Sequence, residues 1–467
     1  MNHRDVTRRE FLQAAAVAGA GGLTAAALGA QAARRQPPRP NFVYLFSDQQ
    51  HWQALGCVDP FFETPHLDAF ASDATLFERA FCTTPQCSPS RSSMLTGLYP
   101  SKTGVMGNVG AAGGEPLRMK TLGAMLEEAG YHTAYFGKWH LGNDPAGNAG
   151  WTEQDFRGRD EKTTETAAGF LRSRRAGQEP FFLVASYLDP HDIYHFRNDP
   201  DPAAAKDVVL PKSWQQEGFD GKPSVQKQFM TDDQGTAIWG QPKETWQWYR
   251  EFYRRKVKLF DDGAGQVLSA LKEAGLWEDT IVIISSDHGD MDTQHRLIFK
   301  GPFMYEHMIR IPMIVRVPAS LGGSLRGRVS DYDAVNVDLV PTIRDFAGLG
   351  PIPCDGLSLA PLLTGKPNPP KRDFVIGQYY SKQKWVNPIR TIRTSEFKFN
   401  RYIDHGEELY DLTNDPHELV NLAGDAGYRE KRGELAAELD RWIETNGDPF
   451  YSLSTVPLAT RRVGDSA

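Results

Sequence analysis

Six short stretches hold most of the residues in this chain that could do bond chemistry. Cys87-Ser88-Pro89-Ser90-Arg91 sets a sulfur nucleophile four residues before a guanidinium. Pro89 suits the first turn of a helix, where its missing N–H costs nothing. Residue 87 then sits at the helix N-terminus, where backbone N–H groups and the helix dipole favour negative charge. Arg91, one turn on, can hydrogen-bond an oxygen placed there. Alone, Cys87 reads two ways: an activated thiolate, or a buried structural cysteine, the commonest fate of a lone one. Ser47-Asp48-Gln49-Gln50 and Ser285-Ser286-Asp287-His288-Gly289 each join a carboxylate to a second donor. Two such pairs meeting at one place would hold a hard divalent cation. Singly, an aspartate at a strand end is more often a cap. The two pairs together with the Cys87 run favour the cation. Gly137-Lys138-Trp139-His140-Leu141-Gly142, Asp189-Pro190-His191-Asp192 and Lys300 add two lysines and two histidines. That set suits a doubly charged, tetrahedral oxyanion.

These stretches need elements that bring them together. Phe42-Val43-Tyr44-Leu45-Phe46 is a continuous apolar run, as in a strand buried on both faces. Tyr131 to Phe136, Phe181 to Tyr187 and Thr280 to Ser285 read as strands of the same kind. Each chemical stretch follows a strand or starts a helix just after one, and in open α/β sheets ligands bind at that edge. Lys138 and His140 are two apart after a strand, so both can face one side. Leu122, Met125, Leu126 and Ala129 fall at helical spacing, with Gly130 as the stop. Glu244 to Ala274 is mostly helical in character. Strands alternating with helices predict an α/β sandwich around a mainly parallel sheet.

Between His191 and Glu244 the periodicity dissolves into Asp, Pro, Gly and Gln, with Trp214, Trp239, Trp246 and Trp248 in or beside the stretch. Such an insertion reads as a lid or binding loop. Its tryptophans could stack on a sugar, although pinning the loop to the domain is the commoner role. After the Pro/Lys-rich break 366–372, Phe374 to Tyr379, Ile389 to Thr394 and Phe397 to Ile403 read as strands. An amphipathic helix from about Tyr428 to Glu444 follows. These form a smaller C-terminal α+β subdomain, 367–467, beside a main domain, 34–366.

With 467 residues, 40% of them hydrophobic, the chain can bury a large core and a smaller module. The net charge of -7, mixed in sign, excludes the basic face of a nucleic-acid binder. Beyond the N-terminus no apolar run is long enough to span a membrane. Cys57, Cys82, Cys87 and Cys354 do not describe a disulfide scaffold or a zinc-type spacing. Thr7-Arg8-Arg9-Glu10-Phe11-Leu12 resembles a twin-arginine export signal. An Ala/Gly-rich apolar stretch and the small-residue site Ala30-Gln31-Ala32 follow, so residues 1–33 read as a signal peptide. The twin-arginine machinery moves folded proteins, which predicts a periplasmic or secreted protein that folds, and takes up any metal, before export.

Taken in order, Asn41 to Gln50, Cys87 to Gly97, Gly137 to Gly142, Asp189 to His191, Asp287 to Gly289, Lys300 and Leu409 to Pro416 resemble the formylglycine-dependent type I sulfatases. The resemblance spans nearly the whole mature chain. It implies the alkaline phosphatase-like α/β sandwich. It implies that a formylglycine-generating maturase converts Cys87 to formylglycine (3-oxoalanine), whose hydrate attacks sulfur. Asp48, Gln49, Asp287, His288 and residue 87 would hold a divalent metal, usually calcium. Asp287 would accept the diol proton, while Lys138, Lys300 and Arg91 balance charge. His191 and Lys300 would assist the leaving oxygen, and His140 would take the proton that lets sulfate depart. His295 resembles a family histidine near the substrate.

Two departures stand out. Gln49 and His288 replace an aspartate and an asparagine found in many sulfatases. The site loses one negative charge and gains a nitrogen ligand, which brings manganese or zinc within reach. The same pairing resembles phosphonate monoester hydrolases of the superfamily, so a phosphonate or phosphodiester substrate is the enzymatic alternative. A catalytically silent binder of sulfated glycans is the non-enzymatic one. The leading expectation is an exported sulfatase acting on a sulfated carbohydrate.

Overall fold

The computed structural model describes residues 39–198, 200–215 and 218–458. The twin-arginine segment and its cleavage site lie outside the described residues. In chain order the strands are β1 Asn41–Asp48, β2 Thr75–Phe77, β3 Ala80–Phe81, β4 His132–Gly137, β5 Glu153–Asp155, β6 Phe181–Pro190 and β7 Thr280–Ser286. They continue as β8 Met313–Arg316, β9 Gly327–Val329, β10 Ala334–Val335, β11 Val375–Lys382, β12 Trp385–Arg393, β13 Phe397–Tyr402 and β14 Gly406–Asp411.

The main sheet has eight strands in the order β5-β4-β6-β1-β7-β8-β2-β9. β8 pairs antiparallel with both neighbours, and the other pairings are parallel. The apolar runs form the central strands, as a sheet covered on both faces requires. Along β1, Phe42, Tyr44 and Phe46 face one core layer, and Val43 and Leu45 face the other. The second layer is closed by the helices Pro65–Ser72, Asp160–Ser173 and Lys243–Glu273, through Leu67, Leu171 and Phe260 among others. The first is closed by Cys87–Thr96, Leu122–Glu128 and Leu339–Phe346, through Met94, Leu126 and Ile343. This is the expected α/β sandwich.

The C-terminal strands form a separate antiparallel sheet, β11-β12-β13-β14. Its side chains alternate by two between two environments. Ile376, Ile392, Phe399 and Leu409 pack under Leu435, Leu439 and Ile443 of the helix Arg429–Thr445. Tyr379, Ile389, Tyr402 and Tyr410 join the main core. Both sheets lie within one compact unit, Pro40–Ala467.

Among the elements that the structure adds to the sequence reading are the short strands β2, β3, β5, β8, β9 and β10. The stretch after His191 contains a helix, Ser224–Asp232, that buries Val225, Gln226, Phe229 and Met230. Its pattern was hidden because a polar residue, Gln226, lies on the buried face, where it hydrogen-bonds Glu408 at 2.8 Å. β14 also went unread, since the buried Glu408 interrupts its apolar pattern. That carboxylate accepts from Gln226, Asn400, Tyr402 and Tyr410. Finally, Lys138 and His140 follow β4 as expected, but strand alternation does not carry on to them, since Gly137 at the strand's end and His140 adopt φ of 104° and 58°. A Cβ on Gly137 would meet the Ser186 carbonyl at 1.9 Å, so only glycine fits there. Most tryptophans of the insertion are fasteners. Trp246 and Trp248 are buried, Trp214 packs edge-on to Trp246, and Trp248 Nε1 donates to Phe196 O at 2.7 Å.

Arg390 and Asp448 tie the C-terminal sheet to the turn that follows the last helix. Both are buried, and they pair through two hydrogen bonds of 2.7 and 2.8 Å. Asp448→Ala leaves the Arg390 guanidinium buried without its partner. It should cost about 3–5 kcal/mol of stability, read as a lower midpoint in urea unfolding. Arg390→Met combined with Asp448→Asn should recover much of that loss, because the stranded charge is gone.

Candidate active site

Four adjacent parallel strands deliver four separate stretches to one edge of the main sheet. Ser47 of β1 pairs with Ser286 of β7, so Asp48 and Asp287 emerge side by side. Asp48 also pairs with Pro190 of β6, which places His191 next along. Gly137 of β4 pairs with Ser186 of β6, and Lys138 follows. The helix Cys87–Thr96 starts over this edge, and all of its residues are buried. A serine-rich helix tolerates that only because its hydroxyls find partners. Ser88 Oγ donates to His140 O, Ser90 Oγ donates to Asp287 O, and Ser88 N donates to Asn108 Oδ1. The polar residues of the motif therefore dock residue 87 onto the carboxylate loops.

Arg91 joins the two carboxylates. Its Nη2 donates to Asp48 Oδ2 at 2.9 Å and its Nε donates to Asp287 Oδ2 at 2.8 Å, with all three residues fully buried. Nη1 donates to Lys138 O and Ser186 Oγ. Arg91 therefore holds the carboxylates and the Lys138 turn, and all three guanidinium nitrogens are engaged in doing so. Lys138 Nζ lies 2.6 Å from Asp48 Oδ2 and 3.8 Å from Cys87 Sγ. Lys300 Nζ donates to Cys87 Sγ at 3.0 Å and to Gln49 Oε1 at 2.6 Å.

The charges explain the protonation states. Burial and Cys87 push the Asp48 carboxyl upward, but the ammonium groups of Lys138 and Lys300 hold it well below the usual carboxylate range. Burial alone would raise the Cys87 thiol. Lys138, Lys300, His288 and a hydrogen bond from His140 bring it well below its ordinary value. Burial, then the ammonium groups of Lys138 and Lys300, lower His191 to about 3, so its imidazole is neutral near pH 7. Interaction with Cys87 opposes that lowering.

Ligand atoms of Asp48, Cys87, Asp287 and His288 all lie within 4.8 Å of one another. Nδ1 of His288 is 2.9 Å from Gly289 O, which can only accept, so Nδ1 carries the hydrogen. Nε2 then faces Cys87 Sγ at 3.3 Å and Asp287 Oδ1 at 3.6 Å. Two buried carboxylates and an imidazole anchored through its far nitrogen fit a divalent cation. Gln49 reaches the same place through a sharp turn, with φ of 76° and its N–H donated to Asp287 Oδ1 at 3.1 Å.

The structure thus gathers Asp48, Gln49, Cys87, Arg91, Lys138, His140, His191, Asp287, His288 and Lys300. It places His295 in different company. His295 stacks on Tyr305 with ring centres 4.0 Å apart, and its Nδ1 is 3.2 Å from Lys222 Nζ. Sequence reasoning missed Asp290, Tyr249 and Asn108. Asp290 follows Asp287-His288-Gly289 directly, and that adjacency was the available signal. Tyr249 and Asn108 come from a helix face and a loop with no local mark.

Comparison with known proteins agrees with this geometry. The sulfatase profile matches residues 40–349. This chain belongs to the sulfatase family. Its enzyme class is sulfuric ester hydrolase. The profile of the N-sulphoglucosamine sulphohydrolase C-terminal region matches residues 294–445 of this sulfatase. The Delta 4,5-hexuronate-2-O-sulfatase of Bacteroides thetaiotaomicron is 28% identical over 461 residues, 90% of this chain and 92% of its own length. A solved 2-O GAG sulfatase superposes with a TM-score of 0.80 at 26% identity, over 90% of this chain and 95% of its own. The phosphonate monoester hydrolase of Agrobacterium radiobacter shares the fold, with a TM-score of 0.72 at 23% identity over 91% and 100% of the two chains.

Arg91→Lys keeps the charge but loses the planar fork that spans both carboxylates. It should lower stability by about 3 kcal/mol, measured by calorimetry. Turnover of an aryl sulfate should fall about 100-fold, because the carboxylate loops lose their register.

Proposed function

We propose that this sulfatase hydrolyses a sulfate ester of a carbohydrate outside the cytoplasm, through formylglycine made from Cys87. The observation that carries the proposal is the ring of Lys138, Lys300, His140 and His191 around Cys87 Sγ, set beside the Asp48–Asp287 pair. In the unmodified residue Sγ stands in for the oxygen of the hydrated aldehyde. A formylglycine-generating maturase is the partner this requires. Asp48, Gln49, Asp287 and His288 would hold a divalent cation, calcium foremost, with manganese or zinc favoured by the His288 nitrogen. Such an ion supplies Lewis acidity toward a sulfuryl oxygen.

The residues around Sγ divide the remaining work. The ammonium groups of Lys138 and Lys300 balance negative charge on the sulfuryl group. Lys300 has a proton to give the departing alcohol oxygen. His191, neutral at its depressed pKa, offers that oxygen an N–H hydrogen bond. His140, which helps lower the Cys87 thiol, is placed to take the proton that releases sulfate. The carbohydrate preference is supported by the named activity of the hexuronate sulfatase relative. The N-terminal twin arginine supports export in the folded state to the periplasm or beyond.

Purified from its own host, the protein should show an intact mass about 18 Da below that of the unmodified mature chain, as a thiol becomes an aldehyde. Cys87→Ala should lower turnover about 10⁴-fold while leaving the fold intact. A panel of sulfated saccharides, aryl sulfate and phosphate diester should give the highest kcat/KM on a sulfated saccharide. Gln49 and His288 favour a second reading, a phosphonate or phosphodiester hydrolase. Diester turnover exceeding sulfate turnover by orders of magnitude would establish it instead. Blocking the host's twin-arginine pathway should leave the precursor in the cytoplasm.

A further inference from the structure

We propose that Asp290 is a positioning residue for the cation site, and that it fixes and polarises the Gln49 amide. The inference rests on the reading of Gln49 as a cation ligand. Gln49 Nε2 donates to Asp290 Oδ2 at 2.7 Å, and Gln49 Oε1 accepts from Lys300 Nζ at 2.6 Å. The chemistry of the partners settles which end is which, since a carboxylate accepts and an ammonium only donates. With its N–H held by Asp290, the amide turns its carbonyl oxygen toward Lys300 and the Cys87 cluster.

Asp290 is itself locked. Tyr249, on the 31-residue helix Lys243–Glu273, donates its hydroxyl to Asp290 Oδ1 at 2.9 Å. Asp292 N donates to the same oxygen at 2.7 Å. The Tyr249 hydroxyl accepts from Phe299 N at 2.9 Å, one residue before Lys300. One small network thus sets Gln49, Asp290 and the loop that carries Lys300. Asp290 is fully buried, and these hydrogen bonds to it come from neutral donors. A buried carboxylate so placed needs positive charge nearby. Lys382, whose charge interacts with Asp290, supplies part of it, and the cation site with Lys300, on the far end of the Gln49 amide, supplies the rest. The charge missing at position 49, where many sulfatases have an aspartate, is therefore restored one residue further out. Transmitted through the N–H, it makes Oε1 a stronger donor to a cation.

The test is calcium chloride titrated calorimetrically into the metal-stripped, full-length protein, as wild type, Asp290→Asn, Gln49→Ala and the double variant. Asp290→Asn should weaken calcium binding about 10-fold, and Gln49→Ala at least as much. The double variant should bind like Gln49→Ala alone, because Asp290 acts through that amide. The exchange variant, Gln49→Glu with Asp290→Asn, returns the carboxylate to position 49 and should recover wild-type affinity. Additive losses in the double variant, or unchanged affinity in Asp290→Asn, overturn the proposal. Unchanged affinity in Gln49→Ala overturns it together with the reading of Gln49 as a ligand. Should Asp290→Asn fail to fold, the exchange variant decides, and weak calcium binding there overturns the proposal. Calcium affinity is read without any ester, so failure of the sulfate-ester reading would appear in turnover and leave these titrations unaltered.

Discussion

Arg91 bridging Asp48 and Asp287 is the interaction on which the rest of the site depends. Two carboxylates buried at the ends of neighbouring strands repel each other and lose hydration, and either alone would be expensive to ionise. One planar guanidinium reaches both, with hydrogen bonds of 2.8 and 2.9 Å. The same side chain anchors the carbonyl of Lys138, so the β4 turn is tied to the pair. Because Arg91 lies one turn into the helix that begins at Cys87, neutralising the carboxylates also positions residue 87. The serines of that helix complete the docking through Asp287 O and His140 O.

Further positive charge gathers beside Asp48 on the side of residue 87. Lys138 and Lys300 lie on the Sγ side, near His140 and His191. The ammonium groups keep Asp48 ionised and lower the Cys87 thiol, and burial together with them holds His191 neutral. One field thus sets three protonation states, and it suits an anionic ester approaching residue 87. Gln49 and His288 adjust the balance on the other side, and the buried Asp290 supplies the negative charge that Gln49 lacks.

Much of this was legible in the chain. The strands around Asp48, His191 and Asp287 are apolar runs, and a sheet covered on both faces leaves no other pattern for them. The Cys87 helix was legible from Pro89. The helix Ser224–Asp232 and strand β14 were not, because each buries a polar residue satisfied by the other: Gln226 meets Glu408 across 182 positions. Local pattern reading takes such residues as exposed. Lys138 and His140 were expected to face one side because they lie two apart after a strand. Past β4 the alternation is broken by positive φ at Gly137 and His140, and at Gly137 the close approach of the Ser186 carbonyl admits only glycine.

The sequence by itself determined which groups could do chemistry: an oxidisable cysteine at a helix start, two carboxylate pairs, two lysines and two histidines. Residue type and local position were enough, because a strand end or a helix start is written within a few residues. Only the tertiary structure decided who meets whom. Parallel pairing of β4, β6, β1 and β7 brings the stretches to one edge, since register is set by long-range hydrogen bonds and two-sided burial. It also decided that Arg91 serves the carboxylates, that His295 stacks on Tyr305, and that Asp290 reaches Gln49 across 241 positions. Those outcomes depend on burial, which makes an unpaired charge too costly to leave alone and selects the one partner within reach.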